Sequence, residues 1–341
     1  MKKLKWTTLF FIAVVTLLYA DVVTENYAKI SMIGGLGGIE TTTKTEIKGL
    51  KKLEDATVKM TGGILGAMAG KPQRQVTVTR IDKDVIWNIN HNDKIYTEMP
   101  IAFPEFSSEK MEMKEAQREE KKPEYEIIKS DFSVKNTGNN KSINKFSCSE
   151  YVANWVLELI KIETKGKTRS TMTITLWTTP KNDLIKGLEK EEGEFNKQFL
   201  AKMGSEVSAD EMKQFGTEFI TSMFSMKQDD VNKKMVNLKD ELRKIEGYPI
   251  VTEISWTLEG DTVKTAKEAM TTEEEKEETE KPSGLEGMLS KALTKKLEKG
   301  EKEETGKTEP AFYSYIEVKS IKLSDVPEKN FEVPEGYKLV K

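Results

Sequence analysis

Val85-Ile86-Trp87-Asn88-Ile89-Asn90, flanked by the runs 75–81 and 94–99, decides how this chain is read. Val85, Trp87 and Ile89 share one side while Asn88 and Asn90 share the other, which is the two-residue period of a half-buried strand. The joins Asp82-Lys83-Asp84 and His91-Asn92-Asp93 are short and polar, so the three runs read as an antiparallel meander. Outward from it, 41–47 and 56–60 read as earlier strands. Later come 131–135, a turn at Thr137-Gly138-Asn139-Asn140, a long run over 143–162, a turn at Lys165-Gly166-Lys167, and 171–177. The pattern resumes at 250–258 and 312–323. Ten or eleven strands with turn-length connections favour an antiparallel sheet over βαβ units.

Two insertions interrupt the series. Over 181–247 the period becomes helical, with Leu184, Leu188, Phe195, Phe199 and Met203 on one side. Ser208 and Glu211 form a capping box ahead of Met212, Phe215, Phe219, Ile220, Met223 and Phe224. Val231, Met235, Leu238, Leu242 and Ile245 follow, with a stop at Gly247 and Pro249. The second insertion, 260–309, carries Thr272-Glu273-Glu274-Glu275-Lys276-Glu277-Glu278, too polar to bury surface, and reads as a charged, unstructured linker. Within it Leu285, Met288, Leu289, Ala292, Leu293 and Leu297 share a helical side near Lys291, Lys295, Lys296 and Lys299. That basic amphipathic pattern makes 285–299 a candidate for transient contact with an anionic membrane surface.

Residues 1–20 read as a signal peptide: Lys2, Lys3 and Lys5 precede an export-length apolar stretch, and Tyr19-Ala20 precede Asp21. Cleavage near Ala20 would deliver one domain, 21–341, to the periplasm. The 341 residues hold 54 Lys+Arg and 57 Asp+Glu, a net charge of −3 without a basic stripe, which argues against a nucleic-acid partner. One His (His91) and one Cys (Cys148) rule out multi-ligand zinc, haem or iron–sulfur sites built from such residues. No nucleophile–base pair is legible, so no catalytic residue, metal or cofactor is expected and the chain does not read as an enzyme. Cys148 alternates with Phe146 and reads as a packed thiol. Neither Gly34-Gly35-Leu36-Gly37-Gly38 nor Gly70-Lys71-Pro72 has the context of a phosphate-binding loop.

Trp87-Asn88-Ile89-Asn90 followed by Asp93-Lys94-Ile95-Tyr96-Thr97-Glu98-Met99 resembles the central hairpin of exported proteins with the lipoprotein-carrier fold. The stretches Ile143-Asn144-Lys145-Phe146-Ser147-Cys148-Ser149-Glu150-Tyr151, Leu176-Trp177-Thr178, Gly247-Tyr248-Pro249 and Phe331-Glu332-Val333-Pro334-Glu335-Gly336-Tyr337 are similar to a bacterial domain-of-unknown-function family in that group. The resemblance implies an α+β fold: a curved antiparallel sheet, an incomplete, half-open β-barrel, covered by helices. It also implies a periplasmic carrier for an acyl chain, lipoprotein or other hydrophobic ligand. The alternative is a protein-interaction or envelope-stress adaptor module without a small ligand. If helices close over the sheet, Trp87 and Ile89 on one side and Phe219, Met223 and Phe224 on the other are the expected ligand-binding residues.

Overall fold

The structure, a computed structural model, describes residues 21–32, 37–68, 70–101, 125–203, 238–260 and 310–340. The expected signal peptide, most of the 260–309 insertion with its 285–299 segment, and Phe219, Met223 and Phe224 lie outside the described residues. Among the described residues twelve strands form a single sheet: β1 (Val22–Met32), β2 (Gly37–Lys48), β3 (Lys51–Thr61), β4 (Gln73–Arg80), β5 (Val85–Asn90), β6 (Ile95–Pro100), β7 (Tyr125–Ile143), β8 (Phe146–Lys161), β9 (Lys167–Thr179), β10 (Tyr248–Gly260), β11 (Phe312–Leu323) and β12 (Lys338–Leu339). Their order is β12-β6-β5-β4-β3-β2-β1-β11-β10-β9-β8-β7. Every pairing is antiparallel except β12 with β6.

The expected α+β half-barrel covered by helices is therefore corrected. The sheet is open, with β7 and β12 at its edges, and the described helices are α1 (Gly63–Met68), α2 (Asp183–Lys202) and α3 (Leu238–Leu242). Only α2 exceeds six residues. Alternation reports which side of a strand is buried but not whether a sheet closes, because closure depends on stagger and tilt between strands. One turn also moves. Thr137 to Asn140, read as a turn, lie in an irregularity inside β7, where the register shifts between Asn136 and Asn140, Gly138 adopts φ 79 and Thr137 Oγ1 donates to Glu150 Oε2 at 2.7 Å. The chain reverses at Asn144-Lys145, both left-handed (φ 49 and 71), as a two-residue hairpin turn demands.

α2 lies across one end of the strands. Asn182 caps it, its Oδ1 accepting from the Ile185 N–H at 3.0 Å. At 20 residues it is about 30 Å long, enough to cross the five inter-strand steps of about 4.8 Å from β11 to β5. Ile185 and Leu188 pack with Val22 and Ile321 at its start, and Phe195, Phe199 and Met203 pack with Ile47, Ile81 and Ile86 at its end. Gly187 allows the close crossing, since a Cβ there would stand 2.9 Å from Leu323 Cδ1. The opposite side of β4 and β5 is covered by the irregular segment after β11. Its Val326 and Phe331 are buried against Val76, Val78, Trp87 and Ile89, with Val333 and Tyr337 beside them. Arg80 binds this strap through the Phe331 carbonyl (3.1 Å) and the Glu332 carboxylate, and β12 then adds to the sheet edge.

Candidate functional site

The register assembles an apolar band on the same side of the sheet as α2, toward the opposite ends of the strands. One row runs Val134, Ala153, Ile174, Ile254, Ser314, Ile30, Ile39, Met60 across eight neighbouring strands. A parallel row contains Phe132, Trp155, Met172, Trp256 and Phe312, and a third carries Tyr151, Leu176, Ile316 and Val58. These rows arise because residues two apart on each strand share a side and neighbouring strands are in register. The β7–β8 side of the band is packed, with Val134, Tyr151 and Ala153 buried beside Ile245 just after α3. Toward the centre Ile316 and Met60 are each 44% exposed.

Beyond Val58 the same side of the sheet changes character. Gln73, Gln75, Thr77, Asn88, Asn90 and Thr97 surround a cleft of about 550 Å³ over β4, β5 and β6. The strap supplies none of its lining, which places the cleft on the side away from the strap. Thr77 Oγ1 donates to Asn88 Oδ1 across the strands at 3.1 Å. Asn90 Oδ1 accepts from the N–H groups of Asn92 (2.9 Å) and Asp93 (3.1 Å), fixing the turn at the cleft's end.

The expected ligand-binding pair Trp87 and Ile89 occupies packed core under the strap. Trp87 Nε1 donates to Glu98 Oε2 at 2.8 Å, and Lys83 Nζ stands 5.2 Å from its ring centre. α2 packs on the other side of this part of the sheet, through Ile86. Near the cleft but on the strap side, Arg74 makes a two-pronged contact with Asp55 (2.8 and 2.6 Å) that holds the Asp55 carboxyl below its ordinary range. His91 Nδ1 meets the Tyr337 hydroxyl at 2.8 Å. Burial pushes its pKa down, and the charge of Arg74 adds to the effect. Cys148 is a buried free thiol whose pKa burial raises, a poor nucleophile. Among the described residues no group of three His, Cys, Asp or Glu side chains could hold a metal ion.

Sequence reasoning missed both the band and the cleft. Rows across a sheet require strand order and register, which alternation along one strand does not contain. A trace of the cleft was legible: the off-core positions Asn88 and Asn90, with Gln73 and Gln75, are amides rather than the usual charged surface residues. Compared with known proteins, the chain matches no family model, no curated protein and no solved structure.

Proposed function

We propose that this protein is an exported, periplasmic carrier or binding protein for an acyl chain or comparable hydrophobic group. The observation that carries this reading is the apolar band, three rows of Ile, Leu, Met, Phe and Trp that remain partly exposed at Ile316 and Met60. Outside the packed β7–β9 end, its longest row runs from Ile254 to Met60 across four inter-strand steps, about 19 Å at 4.8 Å each, a length that suits an extended acyl chain. Each methylene removed from water there would contribute about 0.8 kcal/mol. The likeness of the β5–β6 hairpin to the lipoprotein carriers points the same way. Trp87 and Ile89, the expected ligand-binding pair, pack with Phe331, and Ile89 also borders the cleft; the band adds a larger apolar surface on the other side of the sheet.

Native mass spectrometry of the purified chain should find extra mass that organic solvent extracts. Ile316→Glu and Met60→Glu should weaken binding of a fluorescent fatty acid while leaving the melting temperature unchanged. If the unaltered chain binds no such probe, the carrier reading fails. An exposed band of this composition also suits a protein partner, and the adaptor reading then takes its place.

A further inference from the structure

The amide-rich cleft specifies what kind of hydrophobic ligand the band would carry. Gln73 stands directly opposite Val58, so the polar cleft begins where the apolar rows end. On this face it is lined by Gln73, Gln75, Thr77, Asn88, Asn90 and Thr97, which both donate and accept hydrogen bonds and carry no charge, and by the apolar Ile95; Asn90 is committed to its turn, donating to Asp93 Oδ2 at 2.7 Å. Thr77 occupies the Asn88 carbonyl, which leaves the Asn88 N–H groups directed to an acceptor other than Thr77. Gln73, Gln75 and Thr97 have no side-chain partner among the described residues.

Charge on this face argues against an anionic head group. The one cation in the lining, Arg74, belongs to the opposite side and is committed to Asp55. The charged side chain that β3 places opposite Thr77 is Glu54, itself held by Lys52 at 2.8 Å. A phosphate would meet an ion pair with no net positive charge, because Lys52 is already neutralised by Glu54. A ring bearing several hydroxyls would meet alternating donors and acceptors.

The geometry points to the cleft as a subsite for an uncharged, polyhydroxylated head group, a sugar, on an amphiphile whose acyl chain lies along the adjoining band. This rests on the carrier reading and narrows its ligand to glycolipid-like molecules. The cleft's volume falls within the ordinary range of small-ligand sites, about 300–1,000 Å³.

The test uses the full chain and three monomeric probes that share a decyl tail: decyl maltoside, decyl phosphate and decanoic acid. Each competes with a bound fluorescent fatty acid below its micellar concentration. Decyl maltoside should compete about tenfold or more better than the two anions, the gain expected from two or three net hydrogen bonds. Gln75→Ala combined with Asn88→Ala should erase that preference and leave decanoic acid binding unchanged. Equal competition by all three probes, or a maltoside preference that survives the double substitution, overturns the sugar subsite while the carrier reading stands. If the fluorescent fatty acid itself fails to bind, both fall together. Melting temperatures of the variants establish that a lost preference is not lost folding.

Discussion

The β4–β6 end of the sheet and the β7–β10 end are built from the same alternation and packed in different ways. At the first, one side is covered along β4 and β5, where Val76, Val78 and Trp87 lie under the strap residues Val326 and Phe331, and the other is covered only near Ile86, under α2, before it opens into the cleft. At the second, one side carries Tyr151, Ala153, Leu157, Leu159 and Leu258, and the other carries Thr171, Thr173, Thr175, Asn154 and Ser255. A strand's second side is buried only where another part of the chain brings matching apolar residues to it. Here that part arrives from more than two hundred residues away in sequence. Among the described residues the β7–β10 strands have no such partner on their threonine-rich side, and their residues there are ones that tolerate water.

The sharpest way to break this contrast is to remove the strap's anchor. Phe331 is fully buried, and Phe331→Ala should destabilise the protein by about 3–5 kcal/mol in denaturant unfolding. A loss of under about 1 kcal/mol would mean that the strap is a surface decoration and the two ends are equivalent. Arg80→Met should cost less, about 1–3 kcal/mol, because it removes the Arg80 donors from the Phe331 carbonyl and the Asp82 carboxylate, while Glu332 keeps Lys83. Ile316→Glu, on the open band, should change stability by no more than about 0.5 kcal/mol.

Titration sharpens the same comparison with smaller effects. Arg80 holds the Asp82 carboxyl below its ordinary 3.8, and Arg74 does the same for Asp55. A depressed carboxylate contributes stability above its unfolded pKa and loses it as pH falls through the folded value. Melting temperature should therefore drop below about pH 4, and Asp82→Asn should flatten part of that drop. His91 gives the smallest signal. Its pKa is lowered from 6.5 by burial and then by Arg74, with Asp55 opposing. The unfolded chain takes up that proton first, so stability should decline as pH falls below about 6.5. His91→Gln should remove this slope, and an unchanged slope would show that His91 is not its source.

Much of the strand pattern was legible because alternation is local. Val85, Trp87 and Ile89 are buried while Asn88 and Asn90 are on the other side, and Cys148 is buried as its spacing from Phe146 implied. β1 escaped detection. Its Thr24, Glu25, Asn26 and Lys29 break the apolar count, yet it sits in the middle of the sheet between β2 and β11. The stretch from Asn136 to Asn140 carried turn residues, and the β8 pairing on both sides overrode them as a bulge. At the candidate site, individual residues such as Trp87 were visible as apolar and aromatic. Their neighbours across the sheet were not.

Read alone, the sequence is enough to place many antiparallel strands, to tell apart the two sides of the runs 85–90 and 171–177, and to bury its one thiol. Those properties depend on residues one to four positions apart, and a single chain contains them. Only the tertiary structure decided that the sheet stays open, that the C-terminal strap fills the space over Trp87, and that Ile30, Ile174, Ile254 and Met60 fall into one row ending beside an amide-lined cleft. Strand order and register arise from pairings between distant segments, where the free energy of a contact depends on every other contact formed with it, so no local pattern encodes them.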